Sequence, residues 1–370
     1  MHRRRLLRIG AAAGAAGVAG CLDGSGGDDG TGSEEGTTPD GTGEPTTGGA
    51  TTEDRDAPDG VYVQPFVETM VNAGTAREGD LAFAVFWTTP HVFWTMTGAD
   101  RSRHSKDDED AVHLMATVWD PETGTVLPEV GLSVELTRED DLVSEEVIYP
   151  MLSQRMGFHW GANFPLPGDG TYTASVSVSG MGIDRTGAFA GRFGDPVTAG
   201  IEFEFTPENR ERVGTEEVAG AGDPGAVQPM EMGDLPDSRL PAPGDLPGTV
   251  AGTARSDDAD MVVTRLSPAE ADRFTDGTGY LAVSARTRYN DLVLPIMGLS
   301  ATVDRDGETV FDGTLSRTLD PDLGYHYGAP VGSLSAGDEV TLSVGTPPQV
   351  GRHEGYETAF LEMPDVTVTL

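Results

Sequence analysis

Short runs rich in β-branched and aromatic residues, several alternating apolar with polar positions, recur along residues 61–370. In the first half these runs are residues 81–87, 112–119, 132–136, 172–178 and 201–205. Turn-forming segments such as 121–124 and 167–170 separate them. This pattern predicts antiparallel strands and an all-β fold of two tandem immunoglobulin-like (Ig-like) sandwiches. A helix is predicted at residues 267–274, where a serine is followed by proline.

Two segments lack this alternation and are rich in Gly, Pro, Asp and Glu. Residues 22–60 contain almost no apolar side chains, so they are predicted to be a disordered acidic stalk. Residues 207–248 are predicted to be a linker. The expected folded domains are therefore residues 61–206 and 249–370.

The N-terminus resembles an export signal. Three arginines at positions 3–5 precede a short apolar run that ends at Gly20 and Cys21. Paired arginines are typical of twin-arginine (Tat) signals. Residues 18–21 resemble a lipobox, which predicts that residues 1–21 are a lipoprotein signal with Cys21 as the lipidated residue. The alternative is an uncleaved anchor with an incidental cysteine, and both hypotheses place the chain outside the cytoplasm and tethered to the membrane.

Composition narrows the classes of partner. The formal net charge is −37 and the pI is about 4.2, so the surface repels nucleic acids and anionic lipids. Acidic residues also occur within the strand-like runs, which favours a folded protein adapted to high salt. Cys21 is the single cysteine, which excludes an intrachain disulfide and a zinc site built on several thiolates.

The second half repeats the first. Residues 126–136 align with residues 293–303, and the segment around His159, Gly-Phe-His-Trp-Gly-Ala, aligns with Gly-Tyr-His-Tyr-Gly-Ala around His326. The interval from Val126 to His159 is 33 residues, and the interval from Val293 to His326 is the same. Two matches at one offset indicate an internal duplication.

The candidate chemistry lies in histidines and methionines. His113 and Met115 project to one face of a predicted strand, and Met151 and His159 lie close together in the chain. Imidazole and thioether side chains are ligands that suit copper, especially Cu(I). The alternative is that these residues fill the core, as such residues usually do. The same interpretation is given to His91, and the polar run at residues 102–108, which includes a histidine, is predicted to be a loop.

Residues 113–205 resemble the periplasmic iron-transport-associated proteins, which are Ig-like, copper-binding proteins associated with ferrous-iron uptake. The resemblance is carried by His113-Leu114, by Tyr-Pro-Met at residues 149–151, by Gly-Phe-His-Trp-Gly-Ala-Asn at 157–163, and by the Pro-Gly-Asp-Gly-Thr-Tyr segment at 167–172. In the second half, Gly-Arg-His-Glu at residues 351–354 resembles a downstream motif of the family.

The resemblance implies a set of metal ligands. The family's first histidine, methionine and central histidine match His113, Met151 and His159. Met115 replaces a glutamate of the family pattern, and Met181 lies near the place of a downstream histidine that the first half lacks. The second half retains that histidine as His353 but has Tyr280 and Thr318 at the positions of His113 and Met151. Because the family forms dimers, His353 is expected to complete the first site across an intramolecular pseudo-dimer, with a homodimer as the alternative.

The sequence therefore predicts an exported lipoprotein that binds copper, or alternatively iron, in support of metal uptake. A membrane iron permease is the partner that the resemblance implies. An enzyme is not expected, because no motif for hydrolysis or phosphate binding is present. The alternatives are an extracytoplasmic Ig-like interaction module whose histidines are structural, and a redox protein that cycles copper.

Overall fold

The computed structural model describes residues 57–370. The predicted signal with Cys21 and most of the predicted stalk lie outside the described residues. The described residues belong to one compact unit.

The described chain is nearly all β. The strands of the first half are β1 (Phe66–Glu68), β2 (Val71–Glu78), β3 (Leu81–Thr88), β4 (Phe93–Thr97), β5 (Asp100–His104), β6 (Asp110–Trp119), β7 (Val130–Arg138), β8 (Asp141–Val147), β9 (Tyr149–Ser153), β10 (Gly157–Pro165), β11 (Gly170–Met181), β12 (Asp184–Arg185) and β13 (Val197–Phe205). A short helix α1 (Pro207–Glu211) and strand β14 (Thr215–Glu217) follow. The strands of the second half are β15 (Thr249–Ser256), β16 (Ala259–Leu266), β17 (Gly279–Thr287), β18 (Gly298–Arg305), β19 (Glu308–Thr314), β20 (Ser316–Asp320), β21 (Gly324–Val331), β22 (Glu339–Thr346), β23 (Gly351–Arg352) and β24 (Val366–Thr369). Two 3-10 turns cover Gly187–Phe189 and Pro243–Asp245.

The strand order repeats between the halves. One sheet of the first half contains β2-β3-β6-β10-β9, and its counterpart in the second half contains β15-β16-β17-β21-β20. The facing sheets are β13-β11-β7-β8 and β24-β22-β18-β19. Equal order in both sheets of both halves supports the duplication that the sequence indicates, and the architecture is the expected all-β sandwich type.

Each half adds a two-residue strand to the sheet of the other. Strand β23 pairs in parallel with β9, and β12 pairs in parallel with β20. The offset that relates His159 to His326 also relates β12 to β23. The exchange of strands between the halves is therefore reciprocal. As a result, the chain that follows Arg352 lies beside the sheet that contains β6 and β10.

Alternation along the strands places the core. In β11, Tyr172, Ala174, Val176 and Val178 face inward and are buried. In β3 every residue is buried, because this strand is covered on both faces. One cluster of buried apolar side chains contains residues of both halves, for example Phe83 of the first half and Tyr327 of the second.

The connecting segments differ from prediction in detail. Residues 267–274 form two successive turns instead of the predicted helix, with Arg273 bound to Asp320 and Phe274 stacked on Tyr280. The predicted linker, residues 207–248, contains α1 and β14, and β14 pairs with β1. None of the helices within residues 57–370 is long and apolar enough to cross a membrane.

Candidate metal centre

Four histidines from different parts of the chain meet beside one sheet. His113 lies on β6 and His159 on β10, which is paired with β6. His91 follows β3, the other neighbour of β6, and His353 follows the exchanged strand β23. The ring of His113 lies 4.1 Å from that of His91 and 5.4 Å from that of His353. The rings of His159 and His353 are 5.1 Å apart, so the four imidazoles form one group.

Met151 and Gly161 define the space between these side chains. Met151 is directly opposite His159 in the β9–β10 pair. A methyl group placed on Gly161 would lie 2.8 Å from Nε2 of His113 and 3.1 Å from Sδ of Met151. The imidazole nitrogen and the thioether sulfur therefore border the same small space, which glycine leaves open. Met151 is fully buried, yet it is not part of the apolar core cluster.

In two of these histidines, His113 and His159, Nδ1 forms a hydrogen bond to an oxygen atom. Nδ1 of His159 donates to the backbone oxygen of Gly157 at 3.0 Å. Nδ1 of His113 donates to Oδ1 of Asn163 at 2.8 Å. The amide nitrogen of Asn163 donates to the backbone oxygen of His91 at 3.0 Å, which fixes the orientation of the amide. Both imidazoles therefore carry their proton on Nδ1 and present the Nε2 lone pair, as metal-binding histidines do.

Three Nε2 atoms are buried without a hydrogen-bond partner among the described residues: those of His113, His159 and His353. Leaving a buried polar atom unpaired costs about 1–3 kcal/mol. Three such atoms in one group consume a substantial part of the roughly 5–15 kcal/mol that stabilises a typical domain. A metal ion bound at these nitrogens would remove that cost.

Burial also keeps these histidines neutral. It lowers the pKa of His159 to about 4, against the opposing hydrogen bond to Gly157. Burial, reinforced by the neighbouring imidazoles, holds the pKa values of His113 and His353 well below their usual range. At neutral pH each of the three rings therefore keeps one nitrogen lone pair, the form that binds a metal ion, and in His113 and His159 this lone pair lies on Nε2.

The equivalent place in the second half is filled by protein atoms. His326 repeats the contact of His159, since its Nδ1 donates to the backbone oxygen of Gly324 at 3.1 Å. Its Nε2 accepts a hydrogen bond from the hydroxyl of Tyr280 at 3.2 Å. That hydroxyl lies 2.1 Å from where a methyl group on Gly328 would be, so Tyr280 occupies the space that stays open beside Gly161.

Of the predicted ligands, the structure brings together His113, Met151, His159 and His353. Met115 packs in the apolar core cluster, although it lies two residues from His113 on β6. Met181 is not part of the histidine group. It lies on β11 in the facing sheet and packs in the same core cluster. The histidine that joins the group in its place is His353, which follows β23.

Sequence patterns missed His91, which was interpreted as a packed residue. One nitrogen each of His91, His113 and His353 lies within 4.8 Å of the others. The antiparallel pairing of β3 with β6 could have revealed this, because the end of β3 then lies beside the start of β6. The loop predicted at residues 102–108 is also partly wrong, since His104 ends strand β5 and stacks on Phe93 at 4.8 Å.

Comparison with known proteins gives limited similarity. A domain family of unknown function, DUF7350, matches residues 244–369. No curated protein matches the chain. A copper-bound variant of FetP from uropathogenic Escherichia coli aligns with 19% identity and a TM-score of 0.29, covering 37% of this chain and 98% of that protein. The 'as isolated' form of FetP from uropathogenic E. coli strain F11, expressed recombinantly in the E. coli periplasm, aligns with 18% identity and a TM-score of 0.28. That alignment covers 37% of this chain and 97% of that protein.

Proposed function

We propose that the chain binds a copper ion through Nε2 of His113, His159 and His353 together with Sδ of Met151. The supporting observation is that Nε2 of His113 and Sδ of Met151 border the space that Gly161 leaves open, within a group of rings that includes His159 and His353. The Nε2 atoms of all three histidines are buried and unpaired. In His113 and His159 the proton lies on Nδ1, so Nε2 carries the lone pair. A bound metal ion would offset the cost of burying them unpaired.

The proposed ligand set favours copper over iron. A thioether with imidazoles suits copper, especially Cu(I), because all four groups are neutral and soft or borderline. Ferrous sites in proteins commonly include a carboxylate. The carboxylate near this group is that of Glu68, which lies beside His91 at the rim. Iron is therefore the weaker candidate for this site.

The physiological role proposed here is extracytoplasmic and non-enzymatic. The signal-like N-terminus, with Cys21 as a lipid attachment site, would tether the protein to the outer face of the cell membrane. There it would hold copper in support of copper or iron uptake, with a membrane permease as partner.

A second interpretation, an interaction module without metal, is supported by His326. This histidine keeps the same Nδ1 contact in a half whose ligand positions are Tyr280 and Thr318. The turn around the histidine therefore has an architectural role. The two halves differ at Nε2, which is unpaired in His159 but hydrogen-bonded to Tyr280 in His326. This difference favours a metal-binding function for the first half.

Metal analysis of the full-length chain tests the proposal. We expect about one copper ion per chain after copper loading and desalting. His113→Ala, His159→Ala and His353→Ala should each lose most of it, whereas His326→Ala is the matched control and should retain it. Wild-type copper content in all three first-half variants would exclude the site.

A further inference from the structure

His91 lies between a carboxylate and one of the proposed copper ligands. Its Nδ1 is 3.2 Å from Oε2 of Glu68, and its Nε2 is 3.0 Å from Nδ1 of His353. Its Nδ1 also lies 3.2 Å from the backbone oxygen of Thr89. The ring is partly exposed, at 23%, whereas His113 and His159 are fully buried. His91 therefore connects the surface to the buried group.

Glu68 is fixed where it can orient this ring. Its two carboxylate oxygens accept hydrogen bonds from the hydroxyls of Thr88 and Thr89, at 3.4 and 3.3 Å. Burial alone would raise the pKa of Glu68, but the hydrogen bonds from His91 and from the two threonine hydroxyls lower it overall. The carboxylate is thus ionised at neutral pH and can only accept hydrogen bonds.

The direction of the hydrogen bonds from His353 to His91 and from His91 to Glu68 follows from the carboxylate of Glu68, which can only accept. With Glu68 and the Thr89 carbonyl beside it, the tautomer of His91 that satisfies its neighbours carries the ring proton on Nδ1, which donates. Nε2 of His91 is then an acceptor, and the group opposite it, Nδ1 of His353, must donate. The proton of His353 is therefore on Nδ1, and its buried, unpaired Nε2 carries the lone pair.

The second half lacks both parts of this arrangement. The offset that relates His159 to His326 places Thr186 at the position of His353, and the Thr186 hydroxyl donates to Asp320. The pairing of Thr88 with His113 and of Leu266 with Tyr280 places Ala269 at the position of His91. The carboxylate–imidazole pair thus occurs in the half that has unpaired ligand nitrogens.

We infer that Glu68 and His91 are positioning residues that hold His353 in the tautomer and orientation required for copper binding, and that His91 is not itself a ligand. This inference rests on the proposed copper site. Outer hydrogen-bond partners of ligand histidines typically change metal affinity by about 10- to 100-fold when replaced. The same range is expected here.

The test compares copper affinity and coordination in the full-length chain. Copper(I) affinity is measured by competition with a chromogenic chelator, and the number of imidazole ligands is measured by X-ray absorption. Glu68→Gln and His91→Leu should weaken affinity by about 10- to 100-fold. His91→Gln should recover most of it, because its side-chain oxygen can accept the proton of His353. The number of imidazole ligands should equal that of the wild type in His91→Gln.

The outcomes separate this inference from the proposed function. Glu122→Gln is the matched control, since that carboxylate is 75% exposed and pairs with Arg192 away from the histidines. Wild-type affinity in both Glu68→Gln and His91→Leu would overturn the inference while leaving the copper site intact. Loss of one imidazole ligand in His91→Gln would show that His91 is a ligand. Absence of copper binding by the wild type would overturn the proposed function, and this inference with it.

Discussion

The hydroxyl of Tyr280 donates to Nε2 of His326 at 3.2 Å, in the place where the first half leaves the corresponding imidazole nitrogen unpaired. Tyr280 occupies the position of His113 in the duplicated sequence. One substitution thus supplies a hydrogen-bond partner and fills the space beside Gly328. The second half retains the fold of the first while closing the place that would hold a metal ion.

Filling the space beside Gly161 should weaken copper binding without altering any ligand. In Gly161→Ala the added methyl group would lie 2.8 Å from Nε2 of His113 and 3.1 Å from Sδ of Met151. Crowding of this kind costs about 1–3 kcal/mol, which corresponds to about a 5- to 150-fold loss of affinity. Titration of the full-length variant with copper(I) checks this.

The control for that variant is Gly182→Ala. A methyl group on Gly182 meets no atom within 4 Å, so copper affinity should stay at the wild-type value. Equal affinity in Gly161→Ala and Gly182→Ala would mean that copper binds elsewhere.

Removing the hydroxyl of Tyr280 should leave Nε2 of His326 unpaired, as Nε2 of His159 is in the first half. Tyr280→Phe leaves Nε2 of His326 buried without its donor. The expected loss is about 1–3 kcal/mol in the free energy of unfolding, measured by urea denaturation, with copper stoichiometry unchanged. A variant as stable as the wild type would show that the bond contributes nothing.

The sequence predicted the long strands better than the short ones. The runs at residues 112–119 and 172–178 lie within β6 and β11, because a buried strand of that length leaves a visible pattern of apolar positions. The exchanged strands β12 and β23 have two residues each, too few for any period. They form because the two halves pack side by side, and such long-range packing leaves no local pattern in the sequence.

The site was predictable to the extent that its residues lie on patterned strands or in recognisable motifs. His113, Met151 and His159 belong to paired strands, and a motif resemblance indicated His353. His91 follows Pro90 on a loop, where neither periodicity nor motif marks it. Met181 was included because a motif position in the first half was empty, whereas the folded chain fills that position from the second half.

Glu129 should contribute to the stability of the contact between the halves. Its carboxylate accepts a hydrogen bond from the hydroxyl of Tyr325 and pairs with Arg317 at 3.0 Å. Glu129→Ala should lower the free energy of unfolding by about 1–3 kcal/mol, because the carboxylate is largely buried, although Arg317 is partly exposed. Urea denaturation measures the effect.

The comparison for Glu129 is Glu122, whose side chain is 75% exposed and pairs with Arg192. Glu122→Ala should change stability by no more than about 0.5 kcal/mol, as is usual at exposed positions. Equal effects of the two substitutions would contradict a specific role for Glu129.

The metal-free protein should lose stability as the pH falls from neutrality towards 4. Burial lowers the pKa values of His159 and His326 to about 4 each, against the opposing backbone hydrogen bonds. In the unfolded chain these groups titrate near about 6.5. Between these values the unfolded chain binds more protons than the folded one, so protonation favours unfolding. Each histidine should remove about 2 kcal/mol between pH 7 and pH 5.

Urea denaturation at both pH values, in the presence of a chelator, checks the sign and the size of this effect. His326→Gln isolates one of the two histidines, because glutamine can satisfy Tyr280 and the Gly324 carbonyl without titrating. In that variant the loss between pH 7 and pH 5 should shrink by about 2 kcal/mol. An equal loss in the variant and the wild type would mean that His326 is not kept neutral by its burial. Since His159 has the same pKa and the same backbone contact, its contribution would then be in doubt as well.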